Sequence, residues 1–141
     1  MSSFTKFDSF VEALAEKVHN LGSDTLKIAL TNTAPTAATD TVFDPITLHP
    51  APLAANGYAP GTATHGTSAQ SGGVYKCVLN DVVFTAVGGS IGPFQYAILY
   101  NDQATGDELI GFYNYGTSIT LLTGETFTVD FDLGTGVLTL T

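Results

Sequence analysis

The sequence is short of basic residues. Four of its 141 residues are Lys or Arg against thirteen Asp or Glu, a formal net charge of −9. Nucleic-acid binding rests on clustered cations that displace counterions from phosphates, so this balance argues against it. It argues equally against an anionic membrane surface. Cysteine is nearly absent: Cys77 stands alone, and no disulfide can form within the chain. Tryptophan is missing. No uninterrupted apolar run approaches the roughly 20 residues of a membrane helix. The chain opens Met1-Ser2-Ser3-Phe4 with no basic segment leading into an apolar run. The expectation is a soluble protein without a secretory signal, folded in a reducing cytoplasm.

Charge of either sign is scarce, at 12% of residues against 44% hydrophobic. Thr, Ser, Gly and Ala fill the gap. A lone soluble domain usually covers more of its surface with charge, so part of this surface is expected to meet protein rather than water. The length suits a single domain over 1–141, able to bury roughly two-thirds of its unfolded surface without metal or disulfide.

Reactive constellations are also lacking. His19, His49 and His65 are scattered without ligand spacing. Cys77 sits in a strand pattern and reads as a small buried hydrophobe. Asp130 and Asp132 are paired carboxylates two residues apart, a pattern that can serve glycoside hydrolysis or calcium binding. On an exposed strand it more often means solvation and edge protection. Gly88-Gly89-Ser90-Ile91-Gly92 has no following Lys or helix and fails as a phosphate loop. No catalytic residue, metal or cofactor is expected. Tyr96, Tyr100, Tyr113 and Tyr115 are candidates to cluster on adjacent strands, where aromatic faces would stack on sugar rings.

What is present is periodicity. Phe7, Phe10, Val11, Leu14, Val18 and Leu21 fall at helical spacing, which predicts one amphipathic helix over 4–21. Ser9 with Glu12 has capping-box spacing, and so does Thr5 with Asp8 one turn earlier. Gly22 stands where a left-handed cap would end the helix. From residue 24 the period becomes strand-like, with Leu26, Ile28 and Leu30 alternating. Thr41–Leu48 allows a short strand limited by Pro45 and Pro50. Residues 50–73 read as a long loop set against another subunit. Beyond Gly73 the chain is strand and turn throughout. Val74–Thr85 is broken or bulged at Asn80-Asp81. Phe94, Tyr96, Ile98 and Tyr100 are expected on one face of a strand, as are Ile110 and Phe112 on the next. Ile119–Leu122 is a further short strand. Phe127, Val129, Phe131 and Leu133 alternate strictly with polar residues, and Val137–Leu140 ends the chain. The sum is mainly β: a two-sheet sandwich, or its jelly-roll variant, of about seven or eight strands over 24–141 with the helix on its flank.

Three segments, "FDSFVEALAEKVHNLGSDTLKIALTNTAP", "GGSIGPFQYAILYND" and "GETFTVDFDLGTGVLTLT", resemble a family of small virion proteins encoded by tailed bacteriophages. The resemblance covers most of the chain and is weakest over 36–72. It implies a capsid decoration, or cement, protein: a β-sandwich made in the host cytoplasm and bound to the outer surface of the head. Its partners would be the major capsid protein and copies of itself as a homo-dimer or homo-trimer, with neither nucleic acid nor membrane. It brings no catalytic residues. Phe4, Phe7 and Phe10 are the candidate interface residues, anchoring the N-terminal segment on its own sandwich or across a subunit boundary. The rival expectations are a tail or connector component, a carbohydrate-binding module, and a carboxylate enzyme using Asp130 or Asp132.

Overall fold

The two most apolar stretches of the sequence become the two longest strands. In the computed structural model, which describes residues 2–43 and 56–141, β7 (Ile91–Asn101) and β8 (Leu109–Leu121) pair antiparallel. They form the centre of a five-stranded sheet. On one side β7 pairs with β2 (Leu26–Thr31), which pairs with β3 (Gly61–Ala63); on the other side β8 pairs with β1 (Phe4–Lys6). A strand buried on both faces must be apolar throughout, and Ala97 through Asn101 are all buried. A three-stranded sheet of β4 (Ala69–Ser71), β5 (Val74–Cys77) and β10 (Leu138–Leu140) lies apart from it. So does a two-stranded sheet of β6 (Val82–Thr85) and β9 (Thr126–Val129). The fold is mainly β, in layers.

The main core lies between the large sheet and the two small ones. Leu26, Ile28, Leu30, Phe94 and Leu99 from the large sheet meet Cys77, Leu79, Val82, Phe84, Val129 and Phe131 there. The opposite face of the large sheet buries Phe7, Ala29, Phe43, Ile98, Tyr100, Leu109 and Phe112. Both faces are covered, which explains strands apolar on both sides.

Strict alternation fails at irregular pairings. Leu99 faces Gly111 and the next residue, Tyr100, faces Leu109, so Ile110 is an extra residue in the ladder. Such a bulge turns the following side chains over. Ile110 therefore joins the main core, whereas Phe112 joins the second cluster, and the shared face expected from their spacing is not formed. The register shifts between Phe94 and Tyr96 act the same way: Phe94 lies in the main core, Tyr96, Ile98 and Tyr100 on the far side.

The helix over 4–21 is corrected. Its first turn is instead β1, with Phe4 opposite Tyr113 and Lys6 opposite Gly111. The helix proper, α1, is Ser9–Ala15. Asp8 is its N-cap residue, without a side-chain cap, and the Ser9 hydroxyl turns to the Asp40 carbonyl at 3.5 Å. Neither capping box forms. The helix stops at Lys17, whose φ is +66°, well before Gly22. Lys17 N–H donates to the Leu14 carbonyl and Val18 N–H to the Ala13 carbonyl, the paired bonds of a Schellman ending.

The loop expected over 50–73 is also shorter than its composition suggested. Residues 44–55 lie outside the described part, and with them most of the strand allowed at Thr41–Leu48, though Val42 bridges Glu108. From Gly61 onward the chain is paired. Gly61 sits opposite Ile28, and a Cβ there would collide with Val82. β4 and β5 form a hairpin closed by Gly72 and Gly73 at φ +59° and +84°. Two consecutive positive φ values define the turn that suits a two-residue hairpin, and glycine adopts them without strain. The break at Asn80-Asp81 is real: it carries the chain from the β5 sheet to the β6 sheet. Asp81 there accepts the Phe131 N–H at 2.9 Å.

Candidate functional site

The three phenylalanines proposed as an anchor go to different places. Phe4 lies against Tyr113 with ring centroids 5.2 Å apart, and Phe7 against Phe112 at 5.2 Å. Phe10 stacks on His19 at 5.3 Å. Phe7 and Phe10 are 0% and 1% exposed within the chain itself, and only Phe4 keeps a partly exposed ring. The segment wraps the edge of β8 and buries Phe7 on one face of the large sheet and Phe10 on the other. They form no single stripe for a partner.

The four tyrosines divide by face for the bulge reason above. Tyr96 and Tyr100 belong with the second cluster, where Tyr100 stacks on Phe43 at 4.4 Å and 8°. Tyr113 and Tyr115 point to the main-core side and, with Ser2, Thr128 and Asp130, line a cleft of about 600 Å³. Burial, then the Asp130 charge, pushes the Tyr113 phenol up to about 12. Burial, then Tyr113 and Asp130, raises Tyr115 further. Both phenols keep their protons at neutral pH.

The carboxylate pair is not a pair. β9 ends at Val129, so neither Asp130 nor Asp132 lies on the strand. Asp132 Oδ1 accepts the N–H groups of Gly134 at 2.7 Å and Thr135 at 3.1 Å. Those bonds, with one from the Thr135 hydroxyl, hold its carboxyl below the usual range. Its job is to close a turn. Leu133, expected in the core, is 57% exposed on that turn. Cys77 is buried in the main core, and burial, eased by a Ser68 hydrogen bond, pushes its thiol up to about 11.

A second constellation had no sequence signal. Asn101, fully buried at the end of β7, accepts the backbone N–H groups of Gln103 and Ala104 on Oδ1 at 3.0 and 3.2 Å. That fixes its amide the right way round. Its Nδ2 then donates to Asp24 Oδ2 at 2.7 Å and to His19 Nδ1 at 3.1 Å. An amide nitrogen cannot accept, so His19 Nδ1 must be the unprotonated nitrogen and Nε2 carries the hydrogen. Nε2 is buried with no hydrogen-bond partner among the described residues. Burial lowers the His19 pKa, against the opposing pull of Glu108 and Asp24. His19 lines an open cleft of about 720 Å³ with Leu14, Val18, Tyr75 and Leu140. His65 is tied nearby, its Nε2 on the Asp24 carbonyl at 2.7 Å. His49 lies outside the described residues.

Among the described residues no three His, Cys, Asp or Glu side chains come together as metal ligands, and no helix is long and apolar enough to cross a membrane. Among the described residues, the outward side chains of the β6 and β9 strands are uncharged and exposed. Val83 is 58% exposed between Thr85, Thr126 and Thr128, all exposed. Val87 and Leu122, 62% and 59% exposed, flank the end where Ala86 pairs with Gly124 and Glu125. Neither β6 nor β9 has another strand partner among the described residues. Comparison with protein-family models, with curated proteins and with solved structures finds no match.

Proposed function

We propose that this chain is a non-enzymatic structural component of a tailed-phage particle, of the capsid decoration or cement type. It binds the outer head surface and strengthens contacts between major capsid subunits, as a homo-dimer or homo-trimer. The observation that carries this reading is the bare β6–β9 sheet. Its outer face of Val83 and three threonines, with edges that no other strand pairs among the described residues, resembles an interface core, which is poor in charge and rich in apolar area. Unpaired edges are templates for another chain unless they are blocked. The acidic balance favours the outside of the shell, away from packaged genome. The similarity of the three sequence segments to small virion proteins points the same way.

On the fold, the reading is of a β-sandwich with the two small sheets as its second layer. A jelly roll needs two interlocked Greek keys, and the described pairings do not define them.

Quantitative mass spectrometry of purified particles tests the function. A copy number comparable to that of the major shell protein supports decoration. A copy number matching a single ring of subunits moves the protein to the tail or connector. Its absence from particles overturns the virion reading.

A further inference from the structure

The cleft beside β8 and β9 has a chemical character that attachment to a shell does not use. Its volume of about 600 Å³ falls in the range of small-ligand sites. Among the described residues, its lining comprises four hydroxyls, on Ser2, Tyr113, Tyr115 and Thr128, one carboxylate on Asp130, and no cation. The aromatic part is rigidly held. Tyr115, half-buried, meets Phe127 edge-on at 5.0 Å and 87°, and Tyr113 is set against Phe4, Phe131 and Tyr115. Asp130 and Thr128 are exposed at the rim.

Each class of ligand meets this lining differently. An anion would find Asp130 and no compensating charge, on a chain of net charge −9. A cation would use Asp130 and a ring face but make no use of the four O–H donors. A neutral sugar uses all of it. Its C–H face packs on the half-buried Tyr115 ring, its hydroxyls donate to the carboxylate, and its oxygens accept from the O–H groups, that of the otherwise buried Tyr113 included. Because both phenols stay protonated at neutral pH, as described above, they remain donors. We infer that the Tyr113–Tyr115–Asp130 cleft binds a neutral saccharide, of one or two pyranose rings. This goes beyond the structural role and does not depend on it: a protein found on no particle would still carry the cleft.

The test uses the intact chain. A printed array of neutral and N-acetylated glycans is screened first. The strongest binder is then titrated by tyrosine fluorescence, which no tryptophan obscures, and by NMR, with choline chloride as the cationic probe. The expected result is saturable binding that shifts Tyr113, Tyr115 and Thr128 resonances. Asp130→Ala should weaken it about tenfold or more, since a charge-assisted hydrogen bond is lost, with no change in thermal midpoint because Asp130 is exposed. Tyr115→Leu should weaken it comparably; where that variant does not fold, Asp130→Ala decides alone. No saturable binder on the array overturns the inference. So does binding indifferent to Asp130→Ala, and so does saturable choline binding without any glycan binding.

Discussion

Asn101 is the residue on which most depends. It makes four hydrogen bonds through one buried amide, two to backbone N–H groups and two to side chains brought from 77 and 82 residues away in sequence. Asn101→Ala takes the donor from buried His19 Nδ1 and one of two donors from Asp24 Oδ2, which keeps the Asn20 N–H, and frees the N–H groups of exposed Gln103 and half-buried Ala104 to water, at about 1–3 kcal/mol for a buried group left unsatisfied. A net loss of about 2 kcal/mol in urea unfolding is expected; a loss below about 1 kcal/mol would show the network to be slack. His19 adds a pH dependence. In the unfolded chain it titrates near 6.5, and in the folded chain lower, because burial disfavours its cation and a protonated Nδ1 could not accept from Asn101. Between those two values the unfolded chain holds the extra proton. Its contribution to stability is therefore complete above about pH 6.5 and falls away as pH drops below it, by at most about 1.4 kcal/mol per pH unit. Unfolding free energies between pH 7 and 5.5 should show this slope in the natural chain and a flatter one in His19→Phe. Little of this was legible in the sequence. Asn101 reads there as an ordinary turn residue and His19 as an isolated histidine, because periodicity reports which face a side chain takes and not which distant residue it meets.

At the scale of the element, the N-terminal segment shows where pattern reading works and where it stops. The apolar residues at helical spacing do include Phe7, Phe10 and Leu21, all buried. They are buried by a strand, a two-turn helix and a loop in succession, and Val11 of the same stripe is 52% exposed. The edge of β8 offered β1 a ladder of backbone bonds, and propensity yielded to it. The real stop, Lys17, carries no sequence signal, since a left-handed lysine is strained where glycine is not. Lys17→Gly should therefore raise stability by about 1 kcal/mol, read as a higher denaturant midpoint at unchanged slope. The β1 docking makes the opposite kind of prediction. Gly111 lies under the Phe4 ring and the Thr5 carbonyl, where a Cβ would collide with both. Gly111→Val should cost about 1–3 kcal/mol by overpacking, and should expose residues 1–7 to limited proteolysis before the rest of the chain. Equal protection of that segment in both proteins would mean that β1 is not held by this contact. In the sequence Gly72-Gly73 reads as the end of the long loop, although a Gly-Gly pair is also a two-residue hairpin signal, because the loop-like composition before it outweighs that signal.

At the scale of the whole molecule, the scarcity of charge in the composition has a counterpart in the outer side of β6 and β9. A chain with so few charges must leave large areas held in water only by Thr, Ser and backbone. The alternation of β6 buries Val82 and Phe84 and turns Val83 outward, so a valine stands at the middle of a solvent-facing sheet of two strands. An isolated exposed valine needs no explanation. Val83, with Val87 and Leu122 exposed toward one end of the same sheet and no further strand pairing β6 or β9 among the described residues, is where the proposed partner would sit. On a proposed decoration protein the consequence is direct. Val83→Lys places a hydrated cation in a surface meant to be dry, while leaving the core side of β6 unchanged. The thermal midpoint of the free protein should move little, because the side chain is already in water. Occupancy on purified particles stripped of the natural protein should fall about tenfold or more, the cost of one desolvated, unpaired charge at an interface. Lys6, exposed on β1 of the five-stranded sheet, supplies the control: Lys6→Glu reverses a surface charge and should leave occupancy as it was. Full occupancy with Val83→Lys would move the contact to another face of the molecule, and loss with both variants would mean that the contact is not confined to this sheet.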